Sequence, residues 1–200
     1  MSIYKLKSGF QGLLRPGVGH LAKIGVTANQ VTLAAAALSI LLGVSLFFQP
    51  LPGMFALVPV WMLLRMALNA VDGMLAREHG QKSALGGYLN ELCDVISDAA
   101  LYAPFALVMP FSTGWIAAAV FLATLTEFAG VLGAVHGNGR RYDGPMGKSD
   151  RAFVFGALGA WIALAGTLPG WSWWLLPVLC LLMIWTTVNR ARAGLAEQAG

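Results

Sequence analysis

The sequence is poor in charge and in cysteine, and each shortage narrows the class of protein. It has 9 acidic and 13 basic residues, so only 11% of the chain is charged. An ordinary soluble domain carries about 25% charged residues. Cys93 and Cys180 both lie in apolar runs, where a thiol behaves as a small hydrophobe. Neither cysteine therefore suggests a disulfide framework or a zinc site.

Long apolar runs make up much of the sequence. Hydrophobic residues make up 58% of the chain and its mean hydropathy is +0.69. Because a membrane-spanning helix needs about 20 residues, the length allows about six spans in one domain and no soluble second domain. The sequence predicts an all-α polytopic membrane protein with six transmembrane helices. The predicted spans cover about residues 31–48, 54–71, 87–109, 115–135 and 152–168, with a sixth that follows 174 and ends near 188.

The N-terminal residues 1–30 are predicted to be a retained cytoplasmic segment and not a signal peptide. Their basic residues are widely spread, and the first apolar run already has spanning length. Apolar residues recur there every three to four positions, which favours an amphipathic juxtamembrane helix on the bilayer surface: Ile3, Leu6, Phe10, Leu13 and Leu14. A solvated helix packed on a neighbour is the alternative. Residues 31–190 are then the membrane catalytic domain and 191–200 a cytoplasmic tail.

The distribution of basic residues predicts the topology. Only Arg65 lies within a predicted span, and the other basic residues fall in segments that six spans place on one side of the membrane. Cytoplasmic loops retain Lys and Arg. Both termini and the region 69–98 are therefore expected on the cytoplasmic side of the inner membrane.

The region 69–98 is the most polar stretch between two apolar runs. On a helix, Asn69, Asp72 and Ala76 share one face, and a second polar stripe follows on the next helix: Asn90, Asp94 and Asp98. Ionised acids at this depth are costly unless they are paired or bound to a cation. Carboxylate and amide oxygens favour a hard ion, Mg²⁺ or Mn²⁺, over Zn²⁺.

The spacing of this region resembles the signature of the CDP-alcohol phosphotransferases (class I CDP-alcohol phosphatidyltransferases). These are six-helix membrane enzymes of phospholipid synthesis, and the signature reads D-x2-D-G-x2-A-R-x8-G-x3-D-x3-D. The chain matches it at Asp72-Gly73, Ala76-Arg77, Gly86 and Asp94. Asn29 and Thr32, before the first span, also resemble the family's sequence at that point.

Two positions depart from the family pattern. Asn69 and Asn90 stand where the family has its first and third aspartates. An amide oxygen can coordinate a metal but supplies no charge, so the site has two fewer negative charges than a four-carboxylate cage. Asp98, one turn beyond Asp94, is a better candidate to compensate than Glu91, which lies about 100° away from Asn90 around the helix.

The resemblance implies a metal-dependent transferase of phospholipid biosynthesis. It would move a substituted phosphate, such as phosphatidyl, from a CDP-alcohol such as CDP-diacylglycerol to an acceptor hydroxyl and release CMP. Asp94 would be the general base. One or two Mg²⁺ or Mn²⁺ ions would be held by Asn69, Asp72, Asn90, Asp94 and Asp98. The nucleotide and phosphates would be contacted by Gly73, Ala76, Arg77, Gly86 and Lys148.

The implied partners are a CDP-linked lipid donor, an unidentified alcohol acceptor and membrane lipids, with no nucleic acid and with a homodimer left open. A non-catalytic family relative that binds CDP-lipid or phospholipid is the alternative function. The basic loop 140–151 either binds an acceptor phosphate or serves only topology. Arg65 and Glu127 lie within spans and either pair with one another or line a cavity. Glycine pairs at 130/133 and 156/159 favour helix packing or a dimer contact.

Overall fold

Seven α-helices form most of the chain in the computed structural model, which describes residues 3–137 and 139–196, with side chains from residue 9. Their bounds are α1 Ile3–Lys23, α2 Ala28–Phe48, α3 Leu57–Glu78, α4 Ala84–Tyr102, α5 Thr113–His136, α6 Lys148–Ala165 and α7 Leu175–Ala196. The rest of the described chain is short 3₁₀ turns and loops, without a strand. The predicted all-α class is confirmed. The side chains of Ile3 and Leu6, and the tail beyond 196, lie outside the described residues.

Side-chain caps fix where α2 and α4 begin. The Thr27 hydroxyl accepts from the Gln30 backbone N–H, and the Gln30 side chain accepts from the Thr27 N–H, which together begin α2. Ser83 caps α4 by accepting from the Gly86 N–H at 3.0 Å. The first turns of α2 and α4 are thereby held in place.

Four of the helices have the length and apolar composition of membrane spans. These stretches are Ala28–Phe48, Pro52–Glu78, Thr113–His136 and Gly170–Ala196. The other two predicted spans correspond to α4 and α6. Each contains three charged residues, which is more than the four apolar stretches have over a comparable length. The six-span count stays a prediction for these two helices.

An aromatic cluster occupies the centre of the helix bundle. The rings of Tyr102 and Phe155 stack with centroids 3.8 Å apart, and Phe105 meets Phe55 and Phe155 edge-on. All four side chains are buried. Around this core α2 packs on α4, α3 on α6 and α5 on α7. These ring contacts contribute van der Waals packing to the centre of the bundle.

Helix α1 packs on α3 through a smaller apolar cluster. Val18 is buried against Val71 and Leu75. Arg15 donates two hydrogen bonds of 3.0 Å to the Glu78 carboxylate, which ties α1 to the end of α3. Leu13 remains 78% exposed. One face of α1 therefore packs on a neighbouring helix, which is the alternative interpretation of the sequence. The other face leaves an apolar side chain exposed, which an amphipathic helix on the bilayer surface would require.

The two glycine pairs make different contacts. A Cβ atom at Gly159 on α6 would lie 2.8 Å from the Val58 Cβ and 3.0 Å from the Phe55 carbonyl oxygen. This is the helix packing that the spacing predicts. The closest contacts at Gly130 and Gly133 on α5 come instead from Arg141, which belongs to the loop between α5 and α6.

We expect Gly159→Ala to destabilise the protein, because the new methyl group would meet a Cβ atom and a backbone carbonyl that have little freedom to move. Overpacking of this kind costs about 1–3 kcal/mol. Gly156→Ala is the matched control on the same helix, since its Cβ atom would be 3.6 Å from the nearest atom. Thermal unfolding of both variants in detergent tests this, and an equal midpoint for the two would contradict the contact.

Candidate active site

One cavity of about 870 Å³ opens where α3 ends and α4 and α6 begin. Nine of the sequence-predicted site residues line it: Asn69, Asp72, Gly73, Ala76, Arg77, Gly86, Asn90, Asp94 and Lys148. Asp98 is the predicted ligand that the structure does not bring to this cavity. The two polar stripes therefore meet across one space, as their helical spacing predicts.

Asp72 is positioned by the start of α2. Its Oδ2 atom accepts a 2.8 Å hydrogen bond from the Thr32 hydroxyl, and the carboxylate is 5% exposed. Asn29, one turn earlier, lies against Gly86, where a Cβ atom would be 2.9 Å from the Asn29 Oδ1. Gly86 thus leaves room for the Asn29 side chain at the cavity wall. The two residues that resembled the family's α2 sequence both contact the predicted site.

Arg77 folds back over Gly73 one turn earlier on α3. A Cβ atom at position 73 would lie 2.9 Å from one terminal nitrogen of Arg77 and 3.1 Å from the other. The missing side chain therefore provides the space that the guanidinium occupies. A planar guanidinium in this position presents paired N–H donors, the geometry that suits phosphate oxygens.

Asp94 lies between two cations. Lys148, at the start of α6, forms an ion pair with its Oδ2 atom. Arg65 precedes Asp72 by about two turns on α3. It donates to the Asp94 backbone carbonyl oxygen at 3.0 Å and lies 3.4 Å from the Asp94 Oδ1 atom. Asp94 is therefore held in place by contacts from both α3 and α6.

Asp98 belongs to a buried ion-pair network beneath the cavity. Arg65 donates to its Oδ1 at 2.5 Å, and Arg151 donates to its Oδ2 at 3.0 Å. Asp98 is 4% exposed and Arg151 is 1% exposed. Both carboxylate oxygens are thus engaged by guanidinium groups, the kind of pairing that makes a buried charge tolerable.

The same network continues to Glu127. Its Oε1 accepts from Arg151 at 2.9 Å and its Oε2 accepts from Arg140 at 2.6 Å. Arg190 lies 3.6 Å from Oε1, and Arg140 also pairs with Glu91. One predicted alternative was that Arg65 and Glu127 pair with one another. They instead pair with other residues: Arg65 with Asp94 and Asp98, and Glu127 with arginines. Glu127 lines the cavity, as the other alternative expects.

The cavity offers oxygen donors that fit one divalent cation. Asp72 and Asp94 supply two carboxylates, and Asn69 and Asn90 supply amide oxygens on the same wall. The Asn69 Nδ2 atom is buried without a hydrogen-bond partner. The described residues hold no group of three or more His, Cys, Asp or Glu side chains that could bind a metal, so a cation here depends on the amides.

A model of the CDP-alcohol phosphatidyltransferase family matches residues 25–188. The chain belongs to the CDP-alcohol phosphatidyltransferase family. This family assignment covers α2 to α7 up to position 188, and with it the residues that line the cavity apart from Phe10 and Gln11 of α1 and Arg190 of α7. The resemblance inferred from the spacing of residues 69–94 is confirmed.

Relatives of known name agree with the family. The chain is 45% identical to the inner membrane protein YnbA of Escherichia coli over 202 residues, which covers 100% of this chain and 99% of that protein. It is 35% identical to a phosphatidylinositol phosphate synthase of Corynebacterium glutamicum over 92 residues, 46% of this chain and 41% of that enzyme.

The fold resembles that of a solved family member. The crystal structure of Mycobacterium tuberculosis phosphatidylinositol phosphate synthase (PgsA1) in complex with manganese and citrate has a TM-score of 0.72 and 17% identity, with 91% of this chain and 88% of that chain covered. A structure of the same enzyme with CDP-DAG bound has a TM-score of 0.62 and 18% identity, covering 92% and 90%.

The structure shows contacts around the cavity that the sequence does not predict residue by residue. Thr32 holds Asp72, Arg65 contacts Asp94, and Arg140 and Arg190 line the cavity beside Glu127. A charged residue inside an apolar span is the signal that singles out Arg65 and Glu127. Their partners lie on other helices, and no local pattern identifies them.

We expect Asp98→Asn to destabilise the protein strongly, since it would leave Arg65 and Arg151 short of a counter-charge. Breaking a buried ion pair from one side costs about 3–5 kcal/mol. Asp143→Asn is the matched control, because Asp143 is 41% exposed and pairs locally with Arg141, which lowers the pKa of the Asp143 carboxyl. Exposed pairs contribute about 0–1 kcal/mol. Unfolding midpoints in detergent compare the two, and similar losses would refute a structural role for Asp98.

Proposed function

We propose that this protein is a phosphotransferase that moves a phosphatidyl group from a CDP-linked lipid, such as CDP-diacylglycerol, to an acceptor hydroxyl and releases CMP. One observation carries the proposal: the residues at the family's signature positions line one cavity in a chain that belongs to the family. The manganese and CDP-DAG complexes of the similarly folded synthase support a cation and a CDP-lipid as ligands.

The proposal includes a six-span topology for residues 31–190. Helix α4, extended by the 3₁₀ turn Ala103–Leu107, and helix α6 would be the two further spans. Asp98 of α4 and Arg151 of α6 pair with one another inside the bundle, so neither of these charges needs to face lipid. With six spans, the basic segments and the cavity lie on the cytoplasmic side of the inner membrane.

A single Mg²⁺ or Mn²⁺ ion fits the charge of this site. Two carboxylates, Asp72 and Asp94, match one divalent cation, and Asn69 and Asn90 add neutral oxygen donors. Asp98 is left out of the proposed ligand set because arginines engage both of its oxygens. When bound, the cation would neutralise charge on the phosphoryl oxygens of the donor.

The chain's own residues then supply binding and proton transfer. Arg77, seated over Gly73, would donate to the donor phosphates, and Gly73 and Gly86 would admit the nucleotide close to the backbone. Asp94 would accept the proton of the acceptor hydroxyl. The hydroxyl oxygen would then bond to the lipid-side phosphorus while the bond between that phosphorus and CMP breaks. Arg65 would hold the Asp94 backbone and carboxylate in position.

A non-catalytic relative that binds CDP-lipid is the second candidate. The two asparagines favour it, because they weaken the charge that would hold a cation. The contact of Lys148 with Asp94 favours it as well, since an ammonium group already occupies one oxygen of the proposed base.

Asp94→Asn is expected to lower CMP release by about 10²–10⁴-fold, because an amide cannot accept the proton. The assay uses purified protein with CDP-diacylglycerol, Mn²⁺ or Mg²⁺ and a panel of alcohols. Asp143→Asn, which removes a carboxylate outside the cavity, should leave the rate close to that of the original protein. Undiminished CMP release by the Asp94 variant would remove Asp94 as the base. CDP-lipid binding without any CMP release would favour the second candidate.

Asn69→Asp with Asn90→Asp is expected to tighten Mn²⁺ binding, since the two new carboxylates add negative charge to the cation's ligands. Ligand charge is a main determinant of affinity for hard cations, and we expect a gain on the order of tenfold or more. Calorimetric titration with Mn²⁺ measures this without reference to turnover. Unchanged affinity would show that residues 69 and 90 do not contact the ion.

A further inference from the structure

The two carboxylates proposed to hold the cation have different partners. Asp94 pairs with the Lys148 ammonium group through its Oδ2 atom. Asp72 accepts a 2.8 Å hydrogen bond from the Thr32 hydroxyl and is 5% exposed. Within the described part of the chain, no Lys, Arg or His side chain forms an ion pair with Asp72. The protein therefore supplies a cation to Asp94 and leaves the charge of Asp72 unmatched.

Asp72 differs in this respect from the other buried acids among the described residues. These are Asp98 and Glu127, and arginines pair with both. A buried carboxylate that lacks a counter-charge is strongly unfavourable. A cation that enters the cavity would therefore gain most beside Asp72, and the proposed divalent ion fits that need.

Lys148 is the cation that the protein presents on the cavity side of Asp94. It is the first residue of α6, its side chain is 20% exposed and it lines the cavity. Arg65 contacts Asp94 from the other side, but its side chain is 4% exposed, donates to Asp98 at 2.5 Å and does not line the cavity. The charge of Lys148 thus lies at the same surface as the proposed ion.

The other cations around the cavity do not contact these carboxylates. Arg140 and Arg190 pair with Glu127. Arg77 and Lys82 line the cavity and form no ion pair with a described carboxylate. They remain free to meet the phosphates of a ligand, whereas the lysine at the start of α6 is committed to a proposed metal ligand.

The charge of the site favours one divalent ion beside this lysine. Asp72 and Asp94 carry two negative charges, whereas a four-carboxylate cage would carry four. One divalent ion and the Lys148 ammonium group place three positive charges against these two, and a second ion would raise the number to five. Positive charges a few ångströms apart repel strongly in a partly buried site. The balance therefore opposes a second ion.

We infer that the Lys148 ammonium group is a built-in cation of this site, which shares Asp94 with a single divalent ion and limits the site to that ion. This inference rests on the proposed function and deepens it by assigning the site's second positive charge. A carboxylate has about four lone-pair positions on its two oxygens, so pairing with a lysine leaves room for an ion. The resemblance implied a contact of Lys148 with the nucleotide or phosphates, whereas its ion pair is with Asp94.

Titration with Mn²⁺ tests the inference without reference to turnover. Calorimetry on the purified protein in detergent measures the number of ions bound and their dissociation constant. We expect one Mn²⁺ per chain for the original protein. Lys148→Gln is expected to bind Mn²⁺ about tenfold or more tightly, because it removes a positive charge beside the ion.

Lys82→Gln is the matched control. It removes the same charge from the same cavity, but Lys82 is exposed and pairs with no described carboxylate. Solvent and salt screen an exposed charge of this kind, so the Mn²⁺ affinity should stay within about threefold of the original. The difference between the two variants isolates the contact of Lys148 with Asp94.

Two Mn²⁺ ions on the original protein at saturation overturn the inference. A Lys148→Gln affinity no higher than that of Lys82→Gln also overturns it, and so does failure of the original protein and the Lys148 variant alike to bind Mn²⁺. Lys148→Gln leaves Asp94 in contact with Arg65, so the carboxylate keeps a counter-charge and the variant is expected to fold. If it does not fold, the ion count of the original protein decides.

The inference and the proposed function fail separately. Binding of one Mn²⁺ that tightens in Lys148→Gln, together with no CMP release from any alcohol tried, overturns the transferase and keeps the role of Lys148. CMP release by a protein that binds two Mn²⁺ ions keeps the transferase and overturns the role of Lys148.

Discussion

The structure depends on the buried ion pairs of Asp98 with Arg65 and Arg151. These three side chains come from α4, α3 and α6, and Glu127 and Arg190 extend the network to α5 and α7. Each charge is too costly to bury alone, so the helices are held in the one arrangement that satisfies all of them. Arg65 also contacts Asp94, which carries this constraint directly to the cavity. Stability of the bundle and geometry of the site thus depend on the same contacts.

Local features of the site could be predicted from the sequence, because they follow from helical periodicity. Asn69 and Asp72 share a face of α3, Asn90 and Asp94 share a face of α4, and all four line the cavity. Asp98 follows the same periodicity but lies four residues, about 6 Å, further along the axis. At that depth arginines from other helices engage it, and Arg151 is 53 residues away in the sequence. Helical periodicity predicts which residues share a face of a helix. It does not predict which side chains of other helices contact each of those residues.

The same limit applies to the basic loop. Its composition indicates a site for anions, because its four basic residues outnumber its two acidic ones, and the sequence does not show which distant acids oppose them. In the structure Glu91 and Glu127, from α4 and α5, provide that opposition for Arg140. Asn69 and Asn90 also line the cavity, at positions where the family pattern has carboxylates. The asparagines remove negative charge from the cavity, whereas the pairing of Arg140 with glutamates offsets positive charge.

The loop that carries Arg140 is fastened to the bundle by its own backbone. The Arg141 N–H donates to the Gly130 carbonyl at 3.0 Å, and the Met146 N–H donates to the Thr186 hydroxyl at 3.0 Å. Gly144, at a φ of 118°, packs directly on Thr186. The conformational entropy of this segment is therefore lost when the protein folds and not when a substrate arrives. A ligand that enters the cavity would then meet a surface whose backbone is already in place.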